Sequence, residues 1–259
     1  YVTGPVIYAA HRLGYPTFIH EQNSIPGRCN KFLSRYVDLI GISFESSREL
    51  FKSGKVLYTG NPCSEEAIKK DAISKSKFGL SEHKKLVLIV MGSLGASKVN
   101  EFFKNSIKLF NNKDYEVLYV TGNNSYESFS KIKVPSNVKV VPYIEDLTRI
   151  MKKADIMVSR AGASTLSEIE ALCVPSILIP SPYVPDNHQY KNAMDLVNKK
   201  CAIIVEEKDL KGDILIRKID ELIKNDKELA EMKKNLNDSG IKNSATFIYE
   251  NLKKLIDRK

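Results

Sequence analysis

The chain has 259 residues, 42% hydrophobic and 27% charged, which excludes a disordered or fibrous protein and allows one large or two medium domains. Forty Lys and Arg against 31 Asp and Glu leave a formal net charge of +9 and point to an anionic partner: a nucleotide, a membrane surface or a nucleic acid. No Lys/Arg run is interleaved with aromatics as a single-strand groove requires, which sets nucleic acid aside, and no stretch approaches the roughly 18 apolar residues of a membrane span.

Residues 17–20, 39–43 and 56–58 read as strands, with helices near 5–13, 27–36 and 45–52. A polar segment, 61–76, follows, and Gly60-Asn61-Pro62 marks a turn or hinge. A second series of strands covers 86–91, 116–121, 138–141, 155–159, 176–180 and 202–205. Its helices lie near 98–110, 125–131, 144–152, 165–172 and 187–199. Beyond Glu206 the pattern is wholly helical, ending in a helix over about 244–256. Runs of Val, Ile and Leu without alternation mark strands buried on both faces, hence parallel sheets covered by helices. Ligands in such sheets bind beyond the carboxyl ends of the strands. The four cysteines, Cys29, Cys63, Cys173 and Cys201, form no C-x-x-C pair and fit reduced thiols in a cytoplasmic protein. The opening Tyr1-Val2-Thr3-Gly4-Pro5 has no Met and reads as the end of a loop, so the chain is expected to be part of a longer protein.

Four polar motifs fall at strand ends. His20-Glu21-Gln22-Asn23 ends the first strand. His20 and Glu21 point to opposite faces if the strand continues, so a structural network competes there with ligand contact, while Asn23 sits on the loop itself. Gly92-Ser93-Leu94-Gly95-Ala96-Ser97 is either a tight strand-to-helix turn or an anion cradle. Ser159-Arg160-Ala161-Gly162-Ala163-Ser164-Thr165-Leu166-Ser167-Glu168 is the most informative: strand, small-residue turn and helix start make a helix N-terminus that binds phosphate. Glu168, about one turn in, either reaches a sugar diol or caps the turn. In Pro182-Tyr183-Val184-Pro185-Asp186-Asn187-His188-Gln189, the neutral Asn187, His188 and Gln189 suit sugar hydroxyls, although Asp186 or Asn187 could simply cap the next helix. There is no Asp-x-Asp metal-diphosphate clamp, so helix termini and backbone amides must neutralise the phosphates without a metal.

Together with Thr59-Gly60-Asn61-Pro62 and the following Asn192-Ala193, these motifs resemble, in order and spacing, the MurG family of bacterial UDP-N-acetylglucosamine transferases, over essentially the whole chain. The resemblance implies a GT-B type α/β fold: two Rossmann-like, doubly wound parallel-sheet domains, the N-terminal one truncated. Residues 1–63 would be the remnant of the acceptor domain with its hinge, 64–243 the UDP-sugar domain, and 244–259 a helix returning to the N-terminal domain. It implies an inverting, cofactor-free hexosyl transfer in peptidoglycan synthesis. GlcNAc passes from UDP-GlcNAc to the 4-hydroxyl of MurNAc in undecaprenyl-diphosphate-MurNAc-pentapeptide, at the cytoplasmic face of the membrane. By resemblance, Ile144 meets uracil. Ser93, Ser164 and Thr165 address the diphosphate, and Ala163, Leu166 and Ser167 of the same turn are expected to contact the substrate. Glu168 accepts from the ribose, and Asn23, His188 and Gln189 hold the GlcNAc end. Arg160 binds phosphate or pins the loop. Some relatives have an arginine where this chain has Ser64. The family's first glycine-rich loop, with its His, would precede Tyr1, so the general base is not identified and this chain alone is expected to be inactive. A non-catalytic UDP-sugar module and a UDP-GlcNAc 2-epimerase are the competing readings.

Contact with an anionic membrane is expected from the helix near 27–36, where Arg28, Lys31 and Arg35 flank Phe32 and Leu33. The alternative places both apolar residues in the core.

Overall fold

A computed structural model describes residues 2–52, 55–92 and 96–257. Every expected strand is present, and all pairings are parallel. The first sheet holds β1 (Phe18–Glu21), β2 (Leu39–Ile42) and β3 (Val56–Tyr58) in that order. The second holds β4 (Leu86–Val90), β5 (Glu116–Val120), β6 (Val138–Val141), β7 (Ile156–Ser159), β8 (Ser176–Leu178) and β9 (Ala202–Ile204), in the order β6-β5-β4-β7-β8-β9. That is the doubly wound dinucleotide-fold order, and its topological switch point lies between β4 and β7.

β4 is apolar throughout because it faces helices on both sides. Val87 and Ile89 enter one core with Phe103 and Ile219, while Leu86, Leu88 and Val90 enter the other with Leu166 and Leu196. Period-two alternation thus sorts side chains between two cores rather than between core and water. The covering helices are α4 (Ser97–Ser106), α5 (Asn123–Ser130), α6 (Leu147–Met151), α7 (Ala163–Leu172), α8 (His188–Asn198), α9 (Ile214–Lys224) and α10 (Asp226–Ser239). Beside the small sheet lie α1 (Thr3–Arg12) and α2 (Arg28–Leu33).

Two expected features differ. The helix near 45–52 is a 3₁₀ stretch, Glu45–Leu50: the Ser47 hydroxyl donates to the Phe44 carbonyl, and Arg48 donates to Glu45 and to the Val56 carbonyl, which holds the segment tight. The polar segment after Gly60-Asn61-Pro62 contains a helix, α3 (Cys63–Lys69), packed on α7. Its inner face carries the buried Ser64 and Ala67, small enough for close approach, and the Ser64 hydroxyl donates to the Ser167 carbonyl at 3.2 Å.

The first sheet and the C-terminal tail meet at Gly60. Its carbonyl accepts from His20 Nε2 at 2.9 Å, and a side chain there would come within 2.5 Å of Ser244 Oγ, so the approach requires glycine. Its φ of +66° requires it too. The last helix, α11 (Ser244–Asp257), is capped by the buried Glu65, which accepts from the Thr246 amide at 2.8 Å and its hydroxyl at 2.7 Å. With Lys69 beside it as the first cause, Glu65 is held down to about 2.

Candidate functional site

At the switch point the turn after β7 delivers the N-terminus of α7, with Gly162 as an extended N-cap that has no side-chain cap. The amides of Ala163, Ser164 and Thr165 therefore lack intrahelical acceptors and present the positive end of the helix dipole. Ser164, Thr165 and Glu168 stand on one face, three to four residues apart. The carboxylate of Glu168 takes no hydrogen bond from the described residues and lies well beyond the cap, so the capping reading falls.

Glu168, Thr165 and Ile144 line a cavity of about 380 Å³ opening at the ends of β4, β5 and β7. Burial raises the Glu168 carboxyl to about 7, opposed by the nearby Lys70 ammonium and reinforced by Glu66. Lys70 crosses the rim, paired with Asp146 at 2.7 Å and Glu66 at 3.0 Å. Lys70 and Arg160 both line the cavity, and Ser64 is buried between α3 and α7.

A second cavity, about 570 Å³, adjoins the first and shares Gly92, Arg160 and Thr165 with it. Gln189 lines it. Its Oε1 accepts from the Ser181 amide at 2.9 Å, which leaves its amide nitrogen to donate. Two successive residues with positive φ, Asp186 (54°) and Asn187 (51°), turn the chain into α8. Asn and Asp tolerate that geometry best among residues with side chains, so their role here is local backbone.

Several expected contacts are placed elsewhere. Leu166 is fully buried in the core, and Ser167 is buried with its hydroxyl donating to the Ala163 carbonyl at 3.0 Å. The helical period turns both side chains away from the face that carries Glu168. Ala163 is largely buried and offers only its amide. His188 lines neither cavity; its Nδ1 donates to the Pro185 carbonyl at 2.8 Å. Asn23 also lines neither: its Oδ1 accepts from Asn192 Nδ2 at 3.1 Å, and its amide accompanies the buried Glu21. Glu21 organises the loop, accepting from the amides of Asn23 and Gly27 and from Asn30 Nδ2, so the structural reading of the His20-Glu21 pair holds. Burial, offset in part by the Gly60 bond, lowers the pKa of His20. Ser93 lies outside the described residues.

Arg160 pins the loops. Its Nη1 donates to the carbonyls of Ile179 (3.1 Å) and Pro180 (3.3 Å), and its Nη2 donates to Glu207 at 2.6 Å.

Residues 86–248 match the Glycosyltransferase family 28 C-terminal domain, and residues 1–42 match the family's N-terminal domain. A Bacillus cereus protein named UDP-N-acetylglucosamine--N-acetylmuramyl-(pentapeptide) pyrophosphoryl-undecaprenol N-acetylglucosamine transferase 1 is 47% identical, over 100% of this chain and 72% of its own length. The chain belongs to the MurG family of glycosyltransferases. A Bacillus licheniformis protein of the same description is 44% identical over 98% of this chain and 71% of its own. The crystal structure of Acinetobacter baumannii MurG matches with a TM-score of 0.80 at 27% identity, covering 98% of this chain and 71% of that one. The fold is the GT-B type. A UDP-GlcNAc 2-epimerase of Neisseria meningitidis, solved with UDP-GlcNAc bound, matches with a TM-score of 0.64 at 18% identity, covering 97% and 73%. That likeness shows the fold alone, and membership of the MurG family sets the epimerase reading aside.

Within this MurG-family chain the fully buried Asn192 joins the two sheets. Its Oδ1 accepts from the Ser24 amide and hydroxyl, both at 2.8 Å, and its Nδ2 donates to Asn23 and the Ala161 carbonyl. In the sequence Asn192 belongs to the last motif without a task of its own; its spacing after Gln189, which returns it to the buried face of α8, is the signal for its role.

Proposed function

We propose that the chain binds UDP-N-acetylglucosamine and serves the inverting transfer of GlcNAc to the 4-hydroxyl of MurNAc in undecaprenyl-diphosphate-MurNAc-pentapeptide. The observation that carries this is the open N-terminus of α7, with Glu168 one turn in, facing a nucleotide-sized cavity at the switch point. Uracil lies against Ile144, Glu168 accepts from the ribose diol, and the amides of Ala163, Ser164 and Thr165 take the diphosphate. Gln189 donates to the sugar. As the bond from the anomeric carbon to the phosphate oxygen breaks, negative charge grows on the departing UDP, where the fixed amides and helix dipole stabilise it. Calorimetric titration with UDP-GlcNAc tests this: one saturable site displaced by UDP is expected. Absence of binding, or formation of ManNAc on incubation, overturns it.

Charge neutralisation here needs no metal. Each helix-end interaction contributes about 0.3–1 kcal/mol, up to about 2 when partly buried, and hydrogen bonds to charged groups roughly 1.5–3 each. UDP affinity is therefore expected to survive EDTA. A fall of more than about tenfold, restored by magnesium or manganese, would refute metal-free binding.

We infer from the lipid-linked acceptor that the work is done at a membrane surface, and propose the cytoplasmic face, with an anionic lipid surface rather than nucleic acid as partner. No helix among the described residues is long and apolar enough to cross a membrane. Arg28, Lys31 and Arg35 are exposed on and just beyond α2, Phe32 is 49% exposed, and Leu33 is fully buried, so only Phe32 of the expected apolar pair faces outward. Phe32 and Tyr8 each pack on Tyr36, joining α1 to this surface, where Val6 and Leu13 are also exposed. Each basic residue near anionic lipid contributes about 1 kcal/mol. Wild type is expected to co-sediment with anionic vesicles and the Lys31→Glu/Arg35→Glu variant to lose most of that preference. Equal binding of both proteins to anionic and neutral vesicles would remove α2 from the membrane-facing surface.

A further inference from the structure

Glu207 opens a 3₁₀ turn, Glu207–Asp209, just beyond β9, at the carboxyl edge of the large sheet. Its side chain is only 6% exposed, yet it lines the second cavity together with Gln189 and Thr165. One carboxylate oxygen, Oε2, accepts from Arg160 Nη2 at 2.6 Å. The other, Oε1, is buried and has no hydrogen-bond partner among the described residues. Arg160 supplies no second bond to it because its Nη1 is held by the carbonyls of Ile179 and Pro180. The pair is therefore one-sided by construction. Arginine fixes the carboxylate and leaves one acceptor over.

A buried carboxylate oxygen without a donor is costly, and native structures complete such an atom with an ordered water, an ion or a ligand. An ionised carboxylate only accepts, so its complement must donate. Beside a diphosphate site it repels phosphate, which leaves a neutral hydroxylated group as the matching chemistry. We propose that Glu207 is a specificity-determining contact to the transferred sugar, with Oε1 accepting a hexose hydroxyl while Arg160 holds the carboxylate in place. The inference rests on the donor-site reading above and adds to it a residue that touches the sugar and not the nucleotide.

The test compares UDP with UDP-GlcNAc on wild type, Glu207→Ala and Glu207→Gln by calorimetry. UDP affinity is expected to stay within about twofold in both variants, which also reports that they are folded. UDP-GlcNAc affinity is expected to fall roughly 10- to 100-fold in Glu207→Ala, the loss of one hydrogen bond to a charged acceptor. In Glu207→Gln the fall is smaller, because the amide oxygen keeps its bond to Arg160 and the NH2 group that replaces Oε1 donates to the oxygen of the same hydroxyl. Equal losses for both ligands would mean that Glu207 acts only through Arg160 and the loops it pins, and would overturn the proposal. Unchanged UDP-GlcNAc affinity in both variants would overturn it as well. A wild-type chain that binds neither ligand is a separate result that overturns the donor-site reading itself.

Discussion

Glu168→Ala is expected to weaken UDP-GlcNAc binding roughly 10- to 150-fold, the loss of about 1.5–3 kcal/mol from a charged acceptor facing two ribose hydroxyls. The carboxylate lines the cavity and has no partner among the described residues, so nothing inside the protein competes for it. Its raised pKa, about 7 by burial, adds a pH signature. The ionised form is about a tenth of the population at pH 6 and about nine-tenths at pH 8, so wild-type affinity should rise close to tenfold over that interval. Glu168→Gln should bind with little pH dependence. The stability effect has the opposite sign. Between the ordinary carboxyl value of 4.5 and about 7 the folded protein keeps a proton that the unfolded chain has released, so stability falls as pH rises through that window. Glu168→Gln should flatten that slope. Affinity unchanged in Glu168→Ala, with a lower melting temperature, would make Glu168 a structural residue.

The strands were legible because parallel sheets covered on both faces demand continuous runs such as Leu86–Val90, and nothing else in the chain imitates them. The helix α3 was not, because Glu65, Glu66, Lys69 and Lys70 make its outer and capping faces look like a linker. Only the small residues Ser64 and Ala67 betray the packed side, and their partner α7 lies about a hundred residues on. At the site, Glu168, Thr165 and Gln189 could be read from their position after strand ends, whereas Ile144 came from the family resemblance. Leu166 and Ser167 were drawn in by adjacency alone, although the helical period that brings Glu168 beside Ser164 must turn them inward. Asn23 was the harder case. A polar residue on a loop at a strand end has the chemistry of a ligand contact, and its partner Asn192, 169 positions away, is invisible until the fold brings the sheets together.

That partner carries the second large effect. Asn192→Ala is expected to destabilise the chain by roughly 3–4 kcal/mol, because the groups it satisfies are themselves buried and have no replacement. Ser24 is 5% exposed, and both its amide and its hydroxyl depend on the one Asn192 carbonyl oxygen. Alanine would orphan these donors and leave a cavity against the Ala161 turn. In thermal unfolding the change should lower Tm by about 10 °C for a chain of this size. Asn192→Asp separates the two halves of the tie. It restores the acceptor for Ser24 but sets a carboxylate oxygen against Asn23 Oδ1 and the Ala161 carbonyl, so it should recover only part of the loss and recover less as pH rises. Because Ala161 leads directly into the N-terminus of α7, both variants should also weaken UDP-GlcNAc binding, although Asn192 lines neither cavity. A melting temperature within about 2 °C of wild type for Asn192→Ala would mean that the two sheets are held together without this residue.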